Sequence, residues 1–240
     1  MSIHPNPIRL NHENPNPEYQ MPNQPLPNIV SENEWQEARV ALLKKEKELT
    51  RAYDALNAER RRLPMVRVED TYEFEGPNGK VSLLDLFEGR RQLIVYCAML
   101  EPGAKPCSGC SMVMDNIGHN IHHIRARDTS FVFTSPAPQE EIAALQGRLN
   151  WSTPWYTDPG RKFADDFGAG KGFAINVFLR DGDGVVYRTY YSTDRGGEVF
   201  DTNFRLLDLT PYGRQESWEE SPPGWPQTEP YVWWRLHDEY

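Results

Sequence analysis

Apolar positions along the chain change period from block to block. Between residues 32 and 62, Trp35, Leu42, Leu49 and Leu56 recur at seven-residue steps, with Ala38, Ala52 and Tyr53 beside them. A seven-residue step keeps side chains on one stripe, so the pattern predicts a single long helix. Its ends agree. Ser31 followed by Glu34 forms a capping-box pair, Arg60-Arg61-Arg62 sets cations against the C-terminal dipole, and Pro64 stops the helix. The stripe suits a helix packed along its own domain, the preferred expectation because three or four heptads make a marginal dimer seam. The other reading is a coiled-coil seam in a homodimer.

A compact alternation follows. "VRVEDTYEFEGPNGKVSL" predicts short strands around a Gly-Pro-Asn-Gly turn, and "SLLDLF" a short helix capped by Ser82. "QLIVYCAM" is a buried strand, and "SMVMDNIGHNIHHIRAR" after it a helix. "TSFVFTS" is another buried strand, "PQEEIAALQGRLN" an amphipathic helix, and "WSTPWYTDPG" a loop. A short helix around "KFADDFG" leads to a hairpin, "GFAINVFLRDGDGVVYRTYYS", turning at Asp181–Gly184, and "EVFDTNFRLLDL" is a last helix. Strands separated by helices pair in parallel, and a hairpin adds an antiparallel pair. The order β-α-β-α-β-β-α therefore predicts an α/β fold, a mixed central sheet flanked by helices in the thioredoxin-like arrangement.

Four regions result. Residues 1–28, with 7 Pro and 6 Asn, predict a flexible tail. Residues 29–64 are the long helix and 65–210 the thioredoxin-like domain. Residues 211–240 hold four of the seven tryptophans, Trp218, Trp225, Trp233 and Trp234. Such aromatic density predicts an extension packed on the domain surface.

Composition narrows the partners. With 38% hydrophobic and 12% aromatic residues the chain can bury a core. A formal charge of −9 argues against nucleic-acid binding, which needs clustered cations. The longest apolar run, Leu93–Leu100, is 8 residues, against about 20 for a membrane span. The N-terminus has neither a secretory nor a mitochondrial targeting pattern. Three cysteines are too few for a disulfide scaffold, so a reducing, cytoplasmic setting is expected.

Cys107 and Cys110 stand at the junction between a strand and a helix, in "KPCSGC". There a sulfur faces unpaired helix N–H groups and the positive dipole end, which favours thiolate over thiol. Lys105 can add positive charge. Cys107 as attacking thiolate and Cys110 as resolving thiol make the leading reading, beside two ordinary buried thiols or half a metal site. Metal is disfavoured, because Cys110 and the nearest histidine, His119, lie about 13 Å apart along a helix, and His122 and His123 lie farther. No metal or cofactor is expected. Cys97 reads as a buried thiol.

The segments "WQEARVALLKKEKELTRAYDAL", "CSGCS", "FVFTSPAP", "YSTDRG", "LLDLTPYGRQE" and "WWRLHDEY" carry a resemblance. From about residue 31 onward the chain resembles the thioredoxin-like family called domain of unknown function 899. The resemblance implies a thioredoxin fold and thiol chemistry on a protein or small-molecule disulfide or thiol. Thioredoxins proper carry a proline at the strand start facing their cysteines, whereas here "GFAINVF" places Ala174 and Ile175 there. The spacing from Tyr96 to Cys107 is similar to that of peroxiredoxins, but Ala104 stands where they carry a Thr. Two alternatives to an oxidoreductase are a non-catalytic binding or assembly protein and a thiol peroxidase. Candidate substrate or lid contacts are Lys105, Ala174, Ile175, Arg195, Arg214, Arg235 and His237.

Overall fold

The computed structural model describes residues 25–240, so the expected flexible tail over 1–28 lies, except for its last four residues, outside the described residues. Helix α1, Glu32–Arg60, starts at the predicted capping box: Ser31 Oγ accepts from Glu34 N, and Glu34 reaches back to Ser31 N at 2.9 Å. None of its residues is buried. Trp35, Leu42, Leu49 and Leu56 are 51%, 52%, 71% and 44% exposed. The expectation that this stripe packs on its own domain is thus corrected: the domain core closes without it.

Beyond α1 the chain forms one eight-stranded sheet. In chain order the strands are β1 (Val66–Arg67), β2 (Glu73–Gly76), β3 (Gly79–Ser82), β4 (Gln92–Cys97), β5 (Thr129–Ser135), β6 (Trp155–Thr157), β7 (Ala174–Arg180) and β8 (Val186–Ser192). Their spatial order is β1-β8-β7-β4-β5-β6-β2-β3. At the centre β4 runs parallel to β5 and antiparallel to β7, which forms a hairpin with β8. A parallel βαβ unit joined through its first strand to a ββα hairpin is the thioredoxin-like fold.

Side chains alternate along the central strands and feed two cores. Tyr96, Phe131 and Phe133 face one, under α2 (Ser108–Ile117), α3 (Asn120–Arg125) and α4 (Gln139–Leu149). Leu93, Val95, Cys97 and Val132 face the other, with Phe163 of α5 (Lys162–Asp166) and Phe87 of a short 3-10 turn. Ser82 Oγ accepts from Asp85 N at 3.3 Å at the start of that turn.

Three local expectations are corrected. The helix after the cysteines is two, because Gly118 breaks the run at φ 24, ψ −120, a conformation that costs glycine least. The stretch "WSTPWYTDPG" contains β6, which pairs parallel with β5 and antiparallel with β2. The final helix is a 3-10 segment, Asp194–Phe200, then α6, Thr202–Leu207, separated by Asp201. No described helix is long and apolar enough to cross a membrane.

Candidate functional site

β4 delivers the chain to the rim of the sheet, and α2 begins after an extended loop. Cys107, with φ −67 and ψ 122, is the N-cap of α2. Its Sγ occupies the place where a serine or aspartate oxygen would cap, accepting from Cys110 N at 3.4 Å. Three forces set its acidity. A hydrogen bond from the Cys110 thiol lowers the Cys107 pKa most, burial opposes it, and the N–H groups of Cys110 and Gly109 lower it further, to about 6. Cys110 is the reverse case: its proton shared with Cys107, and its burial, push its pKa well up. Met99 N at 3.4 Å and Tyr96 Oη at 3.7 Å also point donors at its sulfur. The pair is therefore one half-buried, acidic thiol backed by a fully buried, protonated one. Both are free thiols.

Cys97 lies elsewhere. It faces the second core, and burial pushes its pKa up to about 12, as expected of an inert thiol. Among the described residues no group of His, Cys, Asp or Glu has the arrangement of a metal site.

A cavity of about 530 Å³ opens beside Cys107 and Cys110. Its floor is Tyr96, Val113 and Phe173; its walls come from the 3-10 segment and α6, with Asp194, Arg195, Glu198, Asp201 and Phe204. The C-terminal extension supplies the roof, with Arg214, Glu216, Trp218, Tyr231 and Trp234. Gly109 makes the approach of the roof possible, since a Cβ there would lie 2.7 Å from the Trp234 ring.

The roof is built on buried charge. Glu216 accepts from Trp218 Nε1 at 2.6 Å, Trp233 Nε1 at 2.8 Å and Tyr231 N at 2.9 Å. Arg214 forks onto Asp208 at 2.8 and 3.0 Å, meets Glu198 at 3.2 Å and lies 4.4 Å from the Phe204 centroid. Arg195 sits 4.5 Å over Trp218. At the end of the chain Leu236 enters the first core. Around it Arg148 pairs bidentately with Asp238, and His237 Nδ1 lies 2.7 Å from Asp115.

Of the residues singled out from sequence, Cys107, Cys110, Arg195 and Arg214 come together around this cavity. The others do not. Lys105 is 76% exposed and lies 3.6 Å from Glu239, so the acidity of Cys107 arises within the α2 turn. Ala174 and Ile175 are buried in the β4–β7 ladder, and the preceding Phe173 reaches the cavity instead. Arg235 donates to the carbonyls of Val232 and Trp234 within its own turn, and His237 serves the latch on Asp115. Sequence reasoning missed Glu198, Asp201 and Glu216. Their only signal was acids beside aromatic residues, a pattern that solvated surface shares.

The family described as "Bacterial protein of unknown function (DUF899)" matches residues 24–240. No curated protein matches the chain. Among solved structures, it is similar to a protein assigned as thiol:disulfide interchange protein DsbE from Chlorobium tepidum, at 13% identity and TM-score 0.42, over 60% of this chain and 97% of that one. It is also similar to the exposed lipoprotein thioredoxin Etrx1 of Streptococcus pneumoniae, at 15% identity and TM-score 0.40, over 55% of this chain and 97% of that one. A third is the mitochondrial 2-Cys peroxiredoxin of Plasmodium falciparum, at 13% identity and TM-score 0.40, over 60% and 94%. At such scores the fold assignment rests on the strand order itself.

Proposed function

We propose that this chain, which belongs to the bacterial family DUF899, is a thiol–disulfide oxidoreductase with Cys107 as nucleophile and Cys110 as resolving thiol. One observation carries the reading: an acidic, half-buried thiol caps α2 and faces a cavity, while a protonated thiol stands behind it. The Cys107 thiolate attacks one sulfur of a substrate disulfide, forming a mixed disulfide and expelling the other half as a thiolate. With that charge gone from Cys107, the Cys110 proton no longer stabilises it and can pass to the departing thiolate. Cys110 then attacks Cys107 Sγ, closes the intramolecular disulfide and releases the second thiol. The substrate gains two electrons and the protein loses two; a cellular dithiol reductant restores the pair. A reducing, cytoplasmic setting suits that cycle.

The closing step is local. Cα atoms three residues apart in a helical turn lie about 5 Å from each other, within the Cα span of about 4.4–6.8 Å that a disulfide bridges. The test is trapping. Cys110→Ser should accumulate mixed disulfides with thiol partners and Cys107→Ser should accumulate none. Equal trapping by both variants would contradict the assignment. Slow alkylation of Cys107 at pH 6 would favour a non-catalytic binding protein, and oxidation by peroxide ahead of disulfides would favour a peroxidase.

A further inference from the structure

The cavity beside Cys107 carries a recognition group that the thiol exchange does not use. Asp201, between the 3-10 segment and α6, is only 7% exposed, and its buried Oδ1 has no hydrogen-bond partner among the described residues. A buried acceptor without a partner is costly and calls for an explanation. Its acidic neighbours do not need a ligand in the same way, because Glu198 and Glu216 are paired within the protein. Trp234 Nε1, in the roof, is a second buried polar atom without a partner among the described residues.

Resting on the oxidoreductase reading, we propose that the substrate is a small disulfide with an apolar body and a protonated amine, the amine held by Asp201 while a sulfur meets Cys107. Three observations converge. A cavity of about 530 Å³ suits a small molecule. Trp234 lies against the cysteine turn at Gly109, occupying surface that an extended protein segment would need. The lining holds four carboxylates, Asp194, Glu198, Asp201 and Glu216, against two guanidiniums, so it favours a cation over an acidic disulfide.

The probes are cystamine, which carries two amines, and hydroxyethyl disulfide, its neutral counterpart. Their unreactive carbon analogues are 1,6-diaminohexane and 1,6-hexanediol. Burial, with the charge of Glu198, raises Asp201 to about 7 while Arg214 lowers it, so measurements at about pH 8 find it mostly ionised. Diaminohexane should quench the cavity tryptophans at lower concentration than hexanediol. Asp201→Asn should reduce the cystamine-over-hydroxyethyl rate ratio about tenfold or more, the scale of a lost charged hydrogen bond in a buried site. Comparing ratios cancels any change in Cys107 itself. An unchanged ratio in a folded Asp201→Asn variant, or equal binding of diamine and diol, overturns the inference even if disulfides are reduced. Selective diamine binding without reduction of either disulfide would leave the pocket assignment standing and defeat the oxidoreductase reading.

A separate observation concerns α1. Among the described residues its apolar stripe has no partner, and its charge runs from acidic, at Glu32, Glu34 and Glu37, to basic, at Arg60, Arg61 and Arg62. We infer that a second copy of the chain covers the stripe with its own α1, antiparallel. That orientation sets Leu42 against the partner's Ala52 and Leu56 against the partner's Ala38, and brings each acidic end to a basic one. The two-fold arrangement is self-complementary. Sedimentation should give a dimer for the full chain and a monomer for Leu42→Lys/Leu49→Lys. A monomeric full chain, a dimeric double variant, or self-cross-linking of Trp35→Cys in a Cys107→Ser background would each overturn it.

Discussion

At the scale of residues, the separation of Cys107 from Cys110 is an effect of position in one helical turn. The same hydrogen bond that makes Cys107 acidic makes Cys110 reluctant to ionise. Alkylation of the reduced protein should therefore label Cys107 first, with a rate that titrates near pH 6, while Cys97 stays unlabelled in the native state. A midpoint in the ordinary thiol range, about 8.5, would remove the activated thiolate. The same shift has a consequence for stability. The folded pKa is depressed, so the stabilisation is present above the unfolded thiol value and lost as pH falls through about 6. The melting temperature of the reduced wild type should gain on that of Cys107→Ser as pH rises from 6 to 8. In that window Cys110 stays protonated in both states and adds little. A constant difference across the window would contradict the depressed pKa. Gly109 is a second lever: Gly109→Ala puts a methyl into the Trp234 ring, and should speed alkylation of Cys107 by displacing the roof. An unaltered rate would mean that Trp234 does not control access.

At the scale of elements, the sequence pattern was readable where burial is regular. Long apolar strands such as β4 and β5, the capping box of α1 and the hairpin β7–β8 have local signals that tertiary context only reinforces. β6 was not readable. Trp155–Thr157 is three residues long and is fixed by neighbours on both sides, β5 and β2, that no local window contains. The break at Gly118 was missed because apolar periodicity continues through it, from Met114 and Ile117 to Ile121. The stripe of α1 shows the opposite error. A strong periodic signal says that a face will be covered and does not say by what. For the site, the Cys-x-x-Cys and its helix are visible in a run of a few residues. The acids around it are visible only once the C-terminal extension is folded back over α2. Leu236 fastens that extension: it is buried in the core shared by α2 and α4. Leu236→Ala should cost about 2–5 kcal/mol, read from denaturant midpoints. A loss of a few tenths would show that the extension is not anchored there.

At the scale of the whole molecule, the extension and the thioredoxin-like domain act on one another at two places, which can be separated. Two buried side chains bind the strap to the domain, Leu236 in the first core and Arg214 on Glu198 and Asp208. The latches at its tip, Arg148–Asp238 and His237–Asp115, are partly exposed. Exposed pairs contribute about 0–1 kcal/mol each, so the tip can loosen at little cost while the strap stays in place. Deleting residues 216–240 removes Leu236 and the tip latches while keeping the Arg214 cluster, and should lower the melting temperature as well as open Cys107 to reagents. The double variant His237→Ala/Asp238→Ala tests access by itself. Its melting temperature should stay close to wild type, because Leu236 remains buried, while alkylation of Cys107 accelerates as the turn carrying Trp234 opens. A wild-type alkylation rate in that variant, set beside a fast rate in the truncation, would place control of the site in the stretch that Glu216 and Leu236 hold over the cysteines. Wild-type rates in both would leave the extension as a brace for the core, with no hold on the cysteines.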